Sequence, residues 1–91
     1  MADFIQGKVT EVIDGDTFVM TIEQVGTQNQ YEYNNSEKIR IQNFDAPELK
    51  SPFGLRSKTS LEIKIKGKTV LCTVASRDTF GRIVATVKIV N

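Results

Sequence analysis

The chain has 91 residues and a mass of 10.2 kDa, the size of a single domain with one hydrophobic core. Hydrophobic residues make up 40% and charged residues 25%, which is typical of a globular domain and not of a disordered segment. One cysteine and no histidine exclude an internal disulfide, a Cys/His zinc site and Ser-His-Asp or Cys-His catalysis. Any chemistry must use carboxylates, basic groups, hydroxyls or a hard cation.

The net charge of +1 hides an uneven distribution along the chain. Residues 1–49 carry three basic and nine acidic groups, a net charge of −6, whereas residues 50–82 carry eight basic and two acidic groups, a net charge of +6. This asymmetry indicates a phosphate or nucleic-acid partner, but two halves that neutralise each other in the fold explain it equally well.

The sequence carries no targeting pattern. No apolar run approaches the ~18–20 residues that cross a bilayer, so we expect no transmembrane segment and no membrane partner. The N-terminal residues lack the apolar h-region of a secretory signal. An exported precursor could have lost such a signal, so the localisation stays unknown.

The first part of the chain has the pattern of a β-hairpin. Residues 5–13 alternate and are rich in β-branched residues, which predicts a half-buried first strand. Asp14-Gly15-Asp16 is a turn signal, and residues 17–22 form a second strand whose apolar residues share one face.

A polar segment separates this hairpin from the next strand. Residues 24–37 are rich in Gly, Asn and Gln, which predicts a long, mobile hairpin loop, with extra pairing around Tyr31 and Tyr33 as an open alternative. Residues 39–42 are predicted to form a third short strand with Arg40 on the face opposite its two isoleucines.

Residues 52–66 fit two patterns. The stretch from Leu61 to Ile65 alternates like a strand, yet these two residues also lie four apart on one helical face. Pro52 suits a first helical turn and Gly67 suits the position that follows a helix end. We therefore predict a helix.

The last part of the chain again has strand patterns. Residues 69–76 predict a fourth strand, residues 77–81 a turn and residues 82–90 a fifth strand. The fifth strand's predicted inward residues are Ile83, Ala85, Val87 and Ile89. Five short strands with one helix after the third match the partly open, five-stranded Greek-key barrel of the OB-fold, here as one domain over residues 1–91. Periodicity alone leaves the order of the strands open.

Two turns each contain a pair of acidic residues, Asp14 with Asp16 and Asp45 with Glu48. Taken singly, each pair is typical of an ordinary turn, where Asp and Gly are favoured. If the two turns converge, their oxygens form a hard-cation site suited to Ca²⁺ or Mg²⁺.

Two arginines, Arg40 and Arg82, lie on strands whose alternate residues are apolar. Such arginines can form a solvated strand face, or they can grip phosphate oxygens with two hydrogen bonds each.

Four segments together resemble the staphylococcal nuclease (thermonuclease) family: residues 12–17, 39–41, 45–48 and 77–82. The similarity extends over roughly residues 7–90, with the motifs in the family's order and approximate spacing. It implies an OB barrel with a helix between the third and fourth strands. It also implies a Ca²⁺-dependent phosphodiesterase that cuts DNA and RNA with little sequence preference, and we expect it to act as a monomer.

The resemblance also implies which residues hold the metal ion. Asp16 and Asp45 would be its direct carboxylate ligands, and Ala46 would contribute a backbone carbonyl. Asp14 would lie nearby in a supporting shell.

Catalytic roles follow from the same resemblance, whereas the candidate nucleic-acid contacts come from the charge of the basic segment. Glu48 would position or deprotonate the attacking water, and Arg40 and Arg82 would hold the scissile phosphate and stabilise charge in the transition state. The basic segment supplies candidate nucleic-acid contacts, which are Lys50, Arg56, Lys58 and Arg77.

Two departures from the family pattern leave alternatives open. The chain stops after the fifth strand, where family members continue into one or two helices, and Phe80 stands where relatives often have tyrosine. A non-catalytic OB module that binds nucleic acid or a protein partner is therefore the second interpretation. A purely structural OB domain is the third, and it leaves both acidic turns unexplained.

Overall fold

The computed structural model describes residues 2–42 and 54–90. These residues contain five strands and one helix, in the order expected from the alternation of the sequence. The strands are β1 (Asp3–Asp14), β2 (Thr17–Val25), β3 (Ser36–Ile41), β4 (Thr69–Arg77) and β5 (Ile83–Ile89). The helix α1 (Gly54–Ile65) lies between β3 and β4.

The strands close into a barrel in the order β1-β2-β3-β5-β4, and β4 pairs back onto β1. The β3–β5 pair is parallel and the other neighbouring pairs are antiparallel. A mainly β, five-stranded barrel with a helix between the third and fourth strands is the OB-fold, so the predicted fold class is confirmed. The barrel is closed rather than partly open, and closure removes the exposed sheet edges.

One hydrophobic core fills the barrel because successive strand residues point alternately inward and outward. Phe18 and Met20 of β2 are fully buried, and Ile22 packs against them from a partly buried position. The other buried apolar residues are Ile5, Val9, Val12, Ile39, Leu61, Ile65, Val70, Cys72, Ile83 and Ala85. Burial raises the pKa of the Cys72 thiol to about 12, so this cysteine is a packing residue.

The helix prediction is confirmed. Leu61 and Ile65 lie on the buried face of α1, which packs against β1, while Ile63 is 79% exposed. Gly67 follows the helix with a φ of +79°, the left-handed conformation that glycine adopts most readily after a helix end.

The structure corrects two details of the sequence prediction. Strand β2 extends to Val25 and β3 begins at Ser36, so only residues 26–35 form the connection between them. Ile89 was predicted to face inward, but it is 47% exposed. The β3–β5 pairing stops at Ala85, so among the described strands the last residues of β5 have a neighbour on the β4 side alone.

The two ends of the barrel differ in what they carry. At one end lie the β1–β2 turn and the end of β3. At the other end, which we call the mouth, lie the starts of β1, β3 and β5 and the end of β4. No helix in the described parts of the chain is long and apolar enough to cross a membrane.

Candidate active site

The turn between β1 and β2 holds two carboxyl groups side by side. The backbone N–H of Asp16 donates to Oδ1 of Asp14 over 3.1 Å, and the hydroxyl of Thr17 donates to Oδ1 of Asp16 over 2.9 Å. Asp16 is buried and Asp14 is partly buried, so bulk water screens the two groups only weakly. The turn therefore concentrates acidic oxygens at one end of the barrel.

Strand pairing brings Arg40 to this turn. Arg40 of β3 lies opposite Thr17 of β2, and the backbone N–H of Ile41 donates to the carbonyl of Asp16 over 2.8 Å. As a result, Nε of Arg40 lies 3.5 Å from Oδ2 of Asp16. The structure thus brings one of the two acidic turns to one of the two candidate arginines, whereas the predicted convergence of the two acidic turns involves residues outside the described ranges.

The titration of the two carboxyl groups reflects their crowding. Burial, followed by the neighbouring carboxyl of Asp14, raises the pKa of Asp16, and the hydrogen bond from Thr17 and the charge of Arg40 oppose this rise. Burial also acts to raise the pKa of Asp14, but hydrogen bonds from Asp16 and Thr17 outweigh it and the pKa is lowered. The repulsion between two such carboxyl groups falls when one of them takes up a proton or when the pair binds a cation. Their hard oxygen donors fit Ca²⁺ or Mg²⁺.

Arg82 is oriented by a turn that Asp78 organises. Oδ1 of Asp78 accepts hydrogen bonds from the backbone N–H groups of Phe80 and Arg82, each over 2.9 Å, and its Oδ2 accepts one from Nε of Arg82 over 2.6 Å. Gly81 closes the turn with a φ of +81°. The Arg82 guanidinium also lies 5.5 Å from the centre of the Phe80 ring, and this ring is 83% exposed.

The parallel β3–β5 pair relates the two arginines. Arg40 lies opposite Val84, two residues after Arg82, and Ile83 between them is fully buried. Alternation about Ile83 therefore directs Arg82 to the outer face of the barrel, the face that also carries Arg40. Strand rise and strand spacing separate their backbones by about 8 Å.

Part of the predicted site lies outside the described residues, namely Asp45, Ala46, Glu48 and Lys50. Within residues 2–42 and 54–90, no three His, Cys, Asp or Glu side chains form a group that could hold a metal ion. The described part of the site therefore comprises Asp14, Asp16, Arg40 and Arg82.

The other predicted basic residues have different surroundings. Arg56 is exposed and Lys58 is partly buried, both in the first half of α1. Arg77, at the end of β4, contacts buried Glu37 through both terminal nitrogens, over 3.5 and 3.3 Å, and donates to the carbonyl of Gly81 over 2.8 Å. Arg77 is thus a structural ion-pair partner as well as a candidate nucleic-acid contact.

Sequence reasoning missed Asp78, Asp3 and Glu37. An aspartate at the start of a turn favours hydrogen bonds to the backbone two residues on, so Asp78 had a local signal. Asp3 and Glu37 bind groups far away in the sequence or across the barrel, and no local pattern marks them.

The fold and site define a class of protein: an OB barrel with paired carboxylates on its first turn and two arginines on the adjacent outer face. Residues 38–91 match the family model described as staphylococcal nuclease homologue, so the chain belongs to this family. The matched region includes both arginines and the segment with Asp45 and Glu48.

Curated relatives agree with this assignment. An "Uncharacterized endonuclease" of Escherichia coli is 37% identical over 83 residues, which is 91% of this chain and 48% of that protein. A "Probable endonuclease LCL3" of Arthroderma otae is 35% identical, with 91% of this chain and 36% of that protein covered. A "Probable staphylococcal-like nuclease CAN2" of Oryza sativa is 49% identical over 47 residues, which is 52% of this chain and 13% of that protein. The chain thus spans half or less of the length of these relatives.

Proposed function

We propose that this domain is the core of a metal-dependent nuclease that hydrolyses phosphodiester bonds in DNA or RNA with little sequence preference, with Ca²⁺ as its ion. The observation that carries the proposal is the contact between Arg40 and Asp16, because it places a guanidinium, which can bind phosphate, beside a crowded pair of carboxyl groups. Membership of the nuclease family supports the same interpretation.

The carboxyl groups of the first turn suit a cation. Asp16 would be a direct ligand and Asp14 would support it, and the burial and crowding that raise the pKa of Asp16 are expected at a site that binds a cation. Asp45 and the carbonyl of Ala46 are proposed to complete the protein ligands. A bound Ca²⁺ would polarise the phosphate and offset its charge during hydrolysis.

The two arginines are proposed to hold the scissile phosphate. Each guanidinium can donate two parallel hydrogen bonds to phosphate oxygens, and such charge-assisted bonds are about twice as strong as neutral ones. Arg40 is 35% exposed and Arg82 is 25% exposed, so both are partly shielded from competing water while they can still contact a ligand. Glu48 is proposed to orient or deprotonate the attacking water.

Asp78 is proposed to position Arg82. It accepts a hydrogen bond from Nε of the guanidinium, and the two terminal nitrogens are proposed to bind the phosphate. Hydrogen bonds from Arg82 and Phe80 outweigh burial and lower the pKa of Asp78, so this anchor stays ionised at neutral pH.

The test is cleavage of end-labelled single-stranded DNA and RNA oligonucleotides with Ca²⁺ or with EDTA. We expect cleavage with Ca²⁺ and none with EDTA. The cleavage rate should fall on the order of 10²-fold or more in Arg82→Ala and in Asp16→Asn. Ile63→Ala is the matched control, because Ile63 is 79% exposed on α1, remote from the acidic turn in sequence.

Two results would overturn the proposal. Equal cleavage in EDTA would exclude a metal-dependent reaction, and unchanged cleavage by Arg82→Ala would remove that arginine from the site. Oligonucleotide binding without any cleavage would instead support the non-catalytic OB module.

A further inference from the structure

The mouth of the barrel contains a pocket that is distinct from the acidic turn. Its volume is about 860 Å³, within the ~300–1,000 Å³ range of small-molecule sites. The pocket is lined by the start of β1, the end of β4, Ile83 of β5 and residues 30–33 of the connection between β2 and β3. It therefore lies at the other end of the barrel from Asp16.

Two tyrosines of the connection between β2 and β3 provide the aromatic surface of this pocket. Tyr31 and Tyr33 both line it, and they are the two tyrosines of a chain that has no tryptophan. Tyr31 is 71% exposed, whereas Tyr33 packs against the core. An exposed ring at a pocket rim is available to stack on a flat ligand.

Asp3 holds the tyrosines in place. Its carboxylate accepts hydrogen bonds from the backbone N–H groups of Gln30 and Tyr31, over 2.8 and 3.1 Å, and from the hydroxyl of Tyr33 over 2.7 Å. Asn29 adds two hydrogen bonds to the backbone of Phe4, over 2.9 and 2.8 Å. Extra strand pairing around the tyrosines, left open as an alternative from the sequence, is not what the structure has: side-chain hydrogen bonds to β1 hold these residues and preorganise the rim of the pocket.

The charges of the pocket favour a base over a phosphate group. Asp3 and Glu32 line it, and Glu37, which binds the lining residue Arg77, lies beside it. Three carboxylates against one arginine would therefore repel a phosphate placed there. Arg77 is 44% exposed at the side chain, and its planar guanidinium provides a second flat surface besides the Tyr31 ring.

The position of the pocket connects it to the candidate phosphate-binding face. Arg77 donates to the carbonyl of Gly81, the residue before Arg82, so one turn carries both arginines. Along β3, Glu37 at the mouth and Arg40 at the acidic turn are separated by three residues, or about 10 Å of strand rise. A dinucleotide can span this distance. In OB-folds, oligonucleotides bind across the face of strands 2 and 3 and the loops that follow strands 1 and 4. In this chain the first of these loops is the acidic turn, and the second contains Arg82.

We infer that the mouth pocket binds one unpaired nucleobase of a single strand whose neighbouring phosphate contacts Arg40 and Arg82, with the ring of Tyr31 as its stacking surface. This inference rests on the proposed function for the identity of the ligand. Stacking of a base on an aromatic ring requires no particular base, so the pocket selects single-stranded over double-stranded substrate without reading sequence.

The experiment measures binding of a short fluorescent single-stranded DNA in EDTA, so that no cleavage occurs, by fluorescence anisotropy. An abasic oligonucleotide of the same length keeps the phosphates and removes the bases. We expect Tyr31→Ala to weaken binding of the normal oligonucleotide roughly 5- to 150-fold, the range that corresponds to the loss of one stacking contact, and to leave binding of the abasic one unchanged. Tyr31→Phe should retain most of the affinity because the ring remains, and Ile63→Ala serves as the control.

A second measurement locates the base. When the tyrosine rings are isotope-labelled, the NMR spectrum contains signals from two rings, because the chain has two tyrosines. The normal oligonucleotide should shift the signal of Tyr31, and the abasic oligonucleotide should not. Equal effects of Tyr31→Ala on both oligonucleotides, or no effect on either, would overturn the inference, as would the absence of DNA binding. Tyr31-dependent binding without cleavage by the wild-type chain would overturn the nuclease proposal alone.

Discussion

The ion pair of Arg77 and Glu37 allows a quantitative prediction. Glu37 is 6% exposed, and Arg77 provides contacts to both of its carboxylate oxygens, over 3.5 and 3.3 Å. Arg77→Ala leaves Glu37 with the backbone N–H of Asn34, 3.0 Å away, as its hydrogen-bond donor. Removal of one partner from a fully buried pair costs about 3–5 kcal/mol. Because the Arg77 side chain is 44% exposed, water partly compensates, and we expect a loss of about 2 kcal/mol.

A loss of that size is easily measured in a domain of 91 residues. It corresponds to a fall in Tm of about 10 °C, because 1 kcal/mol shifts the Tm of a small domain by roughly 4–8 °C. Urea unfolding followed by circular dichroism gives the free energy of unfolding directly. The control is Lys88→Ala, an exposed residue of β5, which should change stability by no more than about 0.5 kcal/mol.

A double-mutant cycle isolates the physical cause. If the uncompensated charge of Glu37 is responsible, Glu37→Gln should recover about half of the loss caused by Arg77→Ala, because the neutral amide still accepts the hydrogen bond from Asn34. Additive effects of the two substitutions, or a loss in Arg77→Ala below about 0.5 kcal/mol, would refute the reasoning.

Four further predictions concern the site and its surroundings. Asp16→Asn should abolish Ca²⁺ binding measured by calorimetry and leave the circular dichroism spectrum unchanged; wild-type Ca²⁺ affinity in this variant would contradict the proposed ligand. Arg40→Ala should lower kcat on the order of 10²-fold, and Arg40→Lys should recover little of it because lysine lacks the planar fork, so full activity in either variant would remove the assigned role. The logarithm of the affinity for single-stranded DNA should fall with the logarithm of the salt concentration, with a slope of about −0.7 per phosphate contact. Arg56→Ala or Lys58→Ala should make this slope shallower if the residue contacts the DNA backbone. Hydrogen bonds from the loop after β2 lower the pKa of Asp3, so its stabilisation is complete above the ordinary value of 3.8 and is lost as the pH falls through the lower folded-state pKa. Acid unfolding of Asp3→Asn should lack this component, and identical acid profiles would show that Asp3 does not provide it.

The local structure of this protein could be predicted from its amino-acid sequence. Apolar residues at every second position predicted each of the five strands, and Leu61 and Ile65 with Gly67 after them predicted the helix. These signals are local, because a side chain's direction along a strand or helix depends on its own position alone. The acidic turn and the two arginines were also visible as motifs, and the family resemblance was confirmed by the match over residues 38–91.

Barrel closure decided which of these motifs meet. The parallel pairing of β3 with β5 relates Arg40 to Arg82, and the pairing of Thr17 with Arg40 brings Asp16 within 3.5 Å of an arginine that is distant in the chain. Periodicity cannot specify such a register, since a strand of given alternation can pair with more than one neighbour.

Tertiary structure also decided the role of residues without a local signal. Asp3 is 30 residues from Tyr33, and Glu37 is 40 residues from Arg77, yet each pair is in contact at the mouth of the barrel. Glu37 of β3 reaches Arg77 of β4 because β5 pairs with both of these strands in the closed sheet. The carboxylates of Asp3 and Glu37 are buried in the closed barrel, and a buried charge is stable only with a partner. Tyr33 and Arg77 are those partners, although the sequence shows them only as part of a polar loop and as a basic residue.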